Sequence, residues 1–336
     1  LAPARARLAA RNAQWLASQE AVTRIPAPTG DETARGAWMA ARFRELGWRD
    51  VTVDAAGNVV ARRGGASSSL AGSVWCCAHL DTVFPDTTPI AVHTRGARLV
   101  GPGIGDNGRG LAALLALAEV VHAHDVRTSR ELVLVCTVGE EGFGDLRGMK
   151  QLLAPGAPVP SAVIAVDRRD ALAHHLRGAG WPFVGRLGNT EPRARRRRHR
   201  GPSRRPAAPR RAAHHAHRRT HRWWRDDQQH PARGMARGRH PQHRRQLGDR
   251  PCGQLADDAP LVRLARDATA LLGVTPRLAT GSTDASVAIA RGIPAIAIGA
   301  GGAGGGVHTR EEWYDDHHGV RGLERLLLIA IGATGL

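Results

Sequence analysis

The sequence has little cysteine, no long apolar run and no phosphate-binding signature. Its four cysteines, Cys76, Cys77, Cys136 and Cys252, show no paired disulfide spacing. Three of them stand in apolar, strand-like runs, where a thiol behaves as a small hydrophobe, so a disulfide framework is excluded and a reducing compartment is expected. Apolar stretches such as Ile293 to Gly302 are too short to span a bilayer. No amino-terminal stretch combines a basic start, a long apolar core and a small-residue cleavage site. A cytoplasmic chain without a membrane partner is the expectation. The glycine-rich stretch GPGIGDNGRG lacks the GxxxxGK[ST] pattern and places an anion, Asp106, where a phosphate would sit, which argues against nucleotide.

Charge is abundant but uneven. The 336 residues carry a formal +18. Between Trp181 and Arg250 there are 21 arginines and 4 acidic residues, a net of +17, which leaves +1 of the +18 for the other 266 residues. The basicity therefore belongs to one segment, and the remainder has the near-neutral balance of an ordinary enzyme. From about Leu187 to Arg250 the sequence has neither a 2-residue nor a 3.6-residue period and almost no aliphatic side chains. Such a stretch cannot bury enough apolar surface to offset its ordering entropy, so disorder is expected there.

Outside that segment the chain is patterned. Residues 2 to 46 have helical spacing broken at Pro26 and Pro28, and VTVDAAGNVVARR alternates as a hairpin does. SVWCCAHLDT, Arg130 to Val138 and Ser161 to Val166 are apolar runs that end in His79, Glu140 with Glu141, and Asp167. The segment LAALLALAEVVHAH between the first two has helix length and composition. After Leu255 come an amphipathic helix ended at Gly273, a buried strand IPAIAIGA and a terminal helix LERLLLIAIGATG. The fold class expected is α/β, a mixed central sheet flanked by helices, with a site along its carboxyl edge. The expected division is a first catalytic part at 1–180, a degraded or disordered basic insert at 181–254, and a second catalytic part at 255–336.

Six side chains can carry chemistry: His79, Asp106, Glu140, Glu141, Asp167 and His308. Taken singly, each also reads as a solvated cap at a strand end. Zinc takes imidazole nitrogen and carboxylate oxygen and keeps an open position in catalytic sites. Two ions sharing one carboxylate need a histidine and a further carboxylate each. His79 with Asp167, and His308 with Glu141, fill that scheme around Asp106, leaving Glu140 as a general base. Asp81, two residues past His79, is placed to accept the other ring hydrogen and fix the tautomer; a turn-forming aspartate is the alternative. Ser282, Thr283 and Asp284 read either as a helix cap or as cleft lining, and His317 and His318 as surface residues.

The motifs CAHLDTVFP, GPGIGDNGRG, VGEEGFGDLRG, AVD, TGSTDAS and GAGGAGGGVHTREEWYD resemble, in order, those of the M20 zinc peptidases and amidases, within the M20/M25/M40 group. The resemblance covers about residues 20–180 and 255–336. It implies two zinc ions, with cobalt or manganese as substitutes, held as above, with Glu140 as general base, Asp81 orienting His79, and a cis bond from Asp106 to Asn107. Asp167, where many relatives have glutamate, resembles the tripeptidase-like branch. A small peptide or N-acyl amino acid is the implied substrate, cleaved by attack of a metal-bound hydroxide, and a homodimer the family habit. The family also inserts a smaller α/β lid domain that supplies an oxyanion-stabilising histidine. Residues 181–254 carry no matching turn; their Arg, Pro, Ala, His and Gly bias is that of GC-rich codons read out of frame. A weak or inactive chain is expected on that ground. Two other readings stand beside the hydrolase: a zinc-binding scaffold without turnover, and a nucleic-acid binder using the basic segment. For the second, two adjacent tryptophans among 21 arginines make no stacking platform, so no specific nucleic-acid partner is expected.

Overall fold

A computed structural model describes residues 1–64, 69–167, 174–178, 250–251, 253–276 and 278–335. The chain divides into two compact units, Leu1–Trp181 with Arg237–Leu336, and Pro182–Ala236. The second unit lies outside the described residues. So do the expectations placed on 181–254, a disordered insert and a lid remnant, apart from 250–251 and 253–254.

The first unit opens with α1 (Ala2–Ala10), α2 (Asn12–Thr23) and α3 (Thr33–Glu45), the last two separated by the predicted proline break. The hairpin follows as β1 (Asp50–Val53) and β2 (Val59–Arg63), turning at Gly57 with φ +99°. Then come β3 (Val74–His79), β4 (His93–Arg95), β5 (Arg98–Val100) and α4 (Gly108–Ala123). After these stand β6 (Leu132–Thr137), α5 (Arg147–Leu152), β7 (Ala162–Val166) and β8 (His174–Gly178). The chain closes with α6 (Pro260–Leu271), β9 (Leu278–Gly281), α7 (Ala285–Ala290), β10 (Ala295–Ile298), β11 (Ala303–Gly305), β12 (Trp313–Asp315) and α8 (Gly319–Thr334).

Eight strands form one mixed sheet in the order β1-β2-β6-β3-β7-β10-β8-β9. Its centre, β6, β3, β7 and β10, is parallel, while β2 joins β6 and β8 joins β10 antiparallel. The central strands are apolar on both faces, as a sheet covered on both sides requires. Val74, Cys76, Leu134, Ile164 and Ile296 face one core with α1 to α4, α6 and α8; Trp75, Cys77, Val133, Val163 and Ala295 face the other with α5 and α7. Burial pushes the Cys76 thiol up to about 12, which accords with a packing role rather than a nucleophile.

The glycine run after β10, which in sequence reads as a loop delivering His308, departs from that reading. Instead of remaining a loop throughout, its Ala303–Gly305 portion pairs with β12, and β12 pairs with β5, giving a second, four-stranded sheet in the order β11-β12-β5-β4. Strands of three residues are too short for an alternating pattern to show. Among the described residues no helix is long and apolar enough to cross a membrane.

Candidate metal centre

The parallel strands deliver their carboxyl ends to one place. His79 is the last residue of β3, opposite Thr137 at the end of β6. Its ring is 2% exposed, with Nδ1 2.9 Å from the main-chain oxygen of Asp81 and Nε2 3.1 Å from Asp106 Oδ1. Asp106 comes from the glycine-rich loop ahead of α4. There Gly103 has φ +74°, and in the first turn of α4 a Cβ on Gly110 would stand 2.0 Å from Asn107 Oδ1, so a side chain at either position would disturb the loop. The Asp106–Asn107 peptide is cis.

Asp106 Oδ2 lies 3.3 Å from His308 Nε2, which also faces Glu141 Oε1 at 2.9 Å. His308 follows β11 with φ +61°, a conformation the sequence did not announce. Asp167 follows β7 directly; its N–H donates to Ile298 O at 2.9 Å, and its Oδ1 is 4.0 Å from His79 Nε2. Three overlapping sets bring one ligand atom from each member within 4.8 Å: His79, Asp106 and Asp167; Asp106, Glu141 and His308; and His79, Glu140 and Glu141. The first two are the groupings expected for two ions, with Asp106 common to both.

The donor chemistry fits divalent cations. Nδ1 of His79 has an acceptor, the Asp81 carbonyl, and so keeps its hydrogen. Its Nε2 then points a lone pair at Asp106 and Asp167, which are also acceptors. Something positive must lie between them. In the metal-free chain it is a proton. Burial pushes both imidazoles down, but for His308 the Glu141 charge and the hydrogen bond to Asp106 outweigh it, raising the ring to about 11; for His79 the hydrogen bond to Asp106 and the nearby Asp81 carboxylate raise it well above its usual range. Burial and the neighbouring Glu141 charge push the Glu140 carboxyl well up. Because a metal ligand must be deprotonated, metal uptake must expel these ring protons. Metal addition near pH 7 is therefore expected to release protons. Apparent affinity should weaken about tenfold per pH unit on acidification for each proton displaced per ion. Calorimetry in buffers of different ionisation heat measures this, and pH-independent binding would contradict it.

Asp81 does more, and by another route, than the orienting role expected of it. Its carboxylate Oδ1 is 3.6 Å from His79 Nδ1, too long for a hydrogen bond, and the ring is held by the Asp81 carbonyl instead. The carboxylate accepts from the main-chain N–H groups of Glu140 at 2.9 Å and Glu141 at 3.0 Å, and from Thr29 Oγ1 at 2.8 Å. Those two amides leave the end of β6 without a strand partner, and a buried carboxylate satisfies both. Glu32 does likewise for Gly139, accepting its N–H at 3.0 Å.

One further residue escaped the sequence. Arg250 donates to Glu140 Oε1 at 3.2 Å, to the Glu140 carbonyl and to Ser282 Oγ at 3.1 Å. It was one arginine among many at the end of the basic run, and no compositional signal separates it. Asp284 stands at the N-cap position of α7, but its side chain makes no capping bond: Thr283 Oγ1 accepts from the Ala285 N–H, while the Asp284 carboxylate accepts from Thr137 Oγ1 beneath the centre. Burial raises the Asp284 carboxyl to about 6. Thr137→Val removes that donor from a buried acceptor and is expected to cost about 1–3 kcal/mol. The urea midpoint reads it, and an unchanged midpoint would refute the assignment. His317 and His318 are exposed, as expected.

The sequence matches Peptidase family M20/M25/M40 over residues 75–331. The chain belongs to that family. Membership makes it a peptidase or amidohydrolase. No curated protein matches it. Its fold is similar to aminopeptidase PepT from Bacillus cereus ATCC 10987, at 16% identity and a TM-score of 0.63, covering 94% of this chain and 96% of that one. A tripeptidase from Staphylococcus aureus subsp. aureus Mu50 is similar at 17% identity and 0.63, covering 95% and 98%. Bacillus subtilis YXEP, described as a dinuclear metal binding peptidase of the M20 family, is similar at 12% identity and 0.55, covering 97% and 99%.

Proposed function

We propose that this M20 chain hydrolyses a peptide or related amide bond at a centre for two divalent cations. His79 and Asp167 would hold one, His308 and Glu141 the other, and Asp106 both; zinc suits this nitrogen and oxygen set, with cobalt and manganese as alternatives. One observation carries the reading. The two oxygens of Asp106 face the Nε2 atoms of two different histidines, at 3.1 Å and 3.3 Å, as a shared ligand must.

When bound, the cations would acidify the attacking water and polarise the scissile carbonyl. Glu140 stands beside that position, held by its main-chain N–H on Asp81 and by Arg250 on its carboxylate. From there its carboxylate would accept the water proton and then give it to the leaving amine. Asp81 and Glu32 fix the turn that sets Glu140 and Glu141 side by side, so base and ligand keep their separation. A small peptide or N-acyl amino acid is the substrate class we put forward, and the tripeptides cleaved by the staphylococcal enzyme's class are the first to try. Incubating metal-loaded protein with a panel of di- and tripeptides and N-acyl amino acids tests this. Cleavage lost on chelation and restored by added metal is the expected result; binding of two ions with no cleavage of any member would favour the scaffold.

A further inference from the structure

Four residues beyond His308, Glu312 is fully buried and its carboxylate is enclosed by the loop that presents Asp106. Oε1 accepts from the N–H of Gly105 at 2.8 Å and of Asp106 itself at 2.8 Å, and Oε2 accepts from Gly103 N–H at 3.1 Å. The Glu312 main-chain oxygen accepts from Gly101 N–H at 2.8 Å. Four amides of one six-residue loop thus converge on a single residue. The strand register explains how it arrives there. Trp313, the next residue, pairs with Val100, the residue just before that loop. The pairing of β12 with β5 therefore locks the segment carrying His308 to the segment carrying Asp106.

A carboxylate placed among successive main-chain N–H groups fills an anion-binding concavity of the kind that glycine-rich turns form. It also fixes their direction. Because the Asp106 N–H is itself one of the donors, the carboxylate constrains the backbone at the residue whose side chain faces both histidines. We infer that Glu312 is a positioning residue for the metal centre, setting the distance between Asp106 and His308 from the main-chain side. The inference rests on the two-cation reading. It assigns Glu312 a role in cation binding that an ordinary buried carboxylate does not have.

Glu131 offers the comparison. It is as buried, at 2% exposure, and ion-paired to Arg62 at 3.0 Å, but it precedes β6 at the end of the sheet away from the centre. Zn²⁺ titration of the metal-free full-length chain, Glu312→Gln and Glu131→Gln, followed by calorimetry, tests the assignment. The amide of glutamine presents a donor where three N–H groups need acceptors. Glu312→Gln is expected to weaken the less tightly held ion by about 10- to 100-fold, the scale seen when groups supporting ligands are removed. Glu131→Gln should bind both ions as the unmutated chain does, whatever it loses in stability. Equal affinities for Glu312→Gln and the unmutated chain would overturn the proposal while leaving the two-cation reading intact. Failure of the unmutated chain to take up two ions would remove that reading and the proposal together.

Hydrogen exchange on the unmutated, metal-free chain gives a second test that needs no variant to fold. The amides of Gly103, Gly105 and Asp106 should be protected before any metal is added. Exchange at the rate of an open loop would overturn the proposal.

Discussion

Glu140→Gln is expected to lower turnover by about 10²- to 10⁴-fold while leaving the metal content of the chain unchanged, since a positioned base contributes on that scale. Glutamine keeps the shape and can still accept from Arg250, so the fold and the neighbouring turn should survive. It cannot carry a proton from water to the leaving amine. The split between the two measurements identifies the role. If the ions are lost along with activity, Glu140 is a ligand, as its grouping with His79 and Glu141 would allow. If turnover is unaffected, another group is the base.

The second large effect belongs to Asp106. Asp106→Ala is expected to remove both ions, because its two oxygens face both histidines and no other carboxylate appears in both the His79–Asp167 and the Glu141–His308 groupings. Without the cations the attacking water would lose the acidification they supply and be a far weaker nucleophile near neutral pH, so turnover should fall by about 10⁴-fold or more. Metal analysis and peptide cleavage report the two consequences separately. A variant that keeps one tightly bound ion would show that the two positions do not share this side chain.

The sequence carried the main features of the central sheet because the physics there is simple. β3, β6, β7 and β10 lie between two helical layers, so each reads as an uninterrupted apolar run. The polar residues ending those runs then mark the carboxyl edge, and His79, Glu140, Glu141 and Asp167 are found there. What holds those residues was far less visible. Asp81 was expected to face the His79 ring, yet its carboxylate turns to two main-chain amides, a demand created only when β3 and β6 pair. Glu312 carried no signal of its own in the sequence, and its partners appear only when the second sheet draws it under the Asp106 loop. Asp284 had the local pattern of a cap, and its partner Thr137 is 147 positions away. Each case needs a main-chain or side-chain group brought in from a distant strand. Periodicity and motif spacing say nothing of that.

The most direct measurement is the metal stoichiometry of the folded chain, stripped with chelator, dialysed against excess zinc, freed of loose metal and analysed by mass spectrometry. Two ions per chain, falling to none in Asp106→Ala, is the result predicted by a carboxylate shared between His79 and His308. Less than one ion per chain after loading would contradict the account at its base.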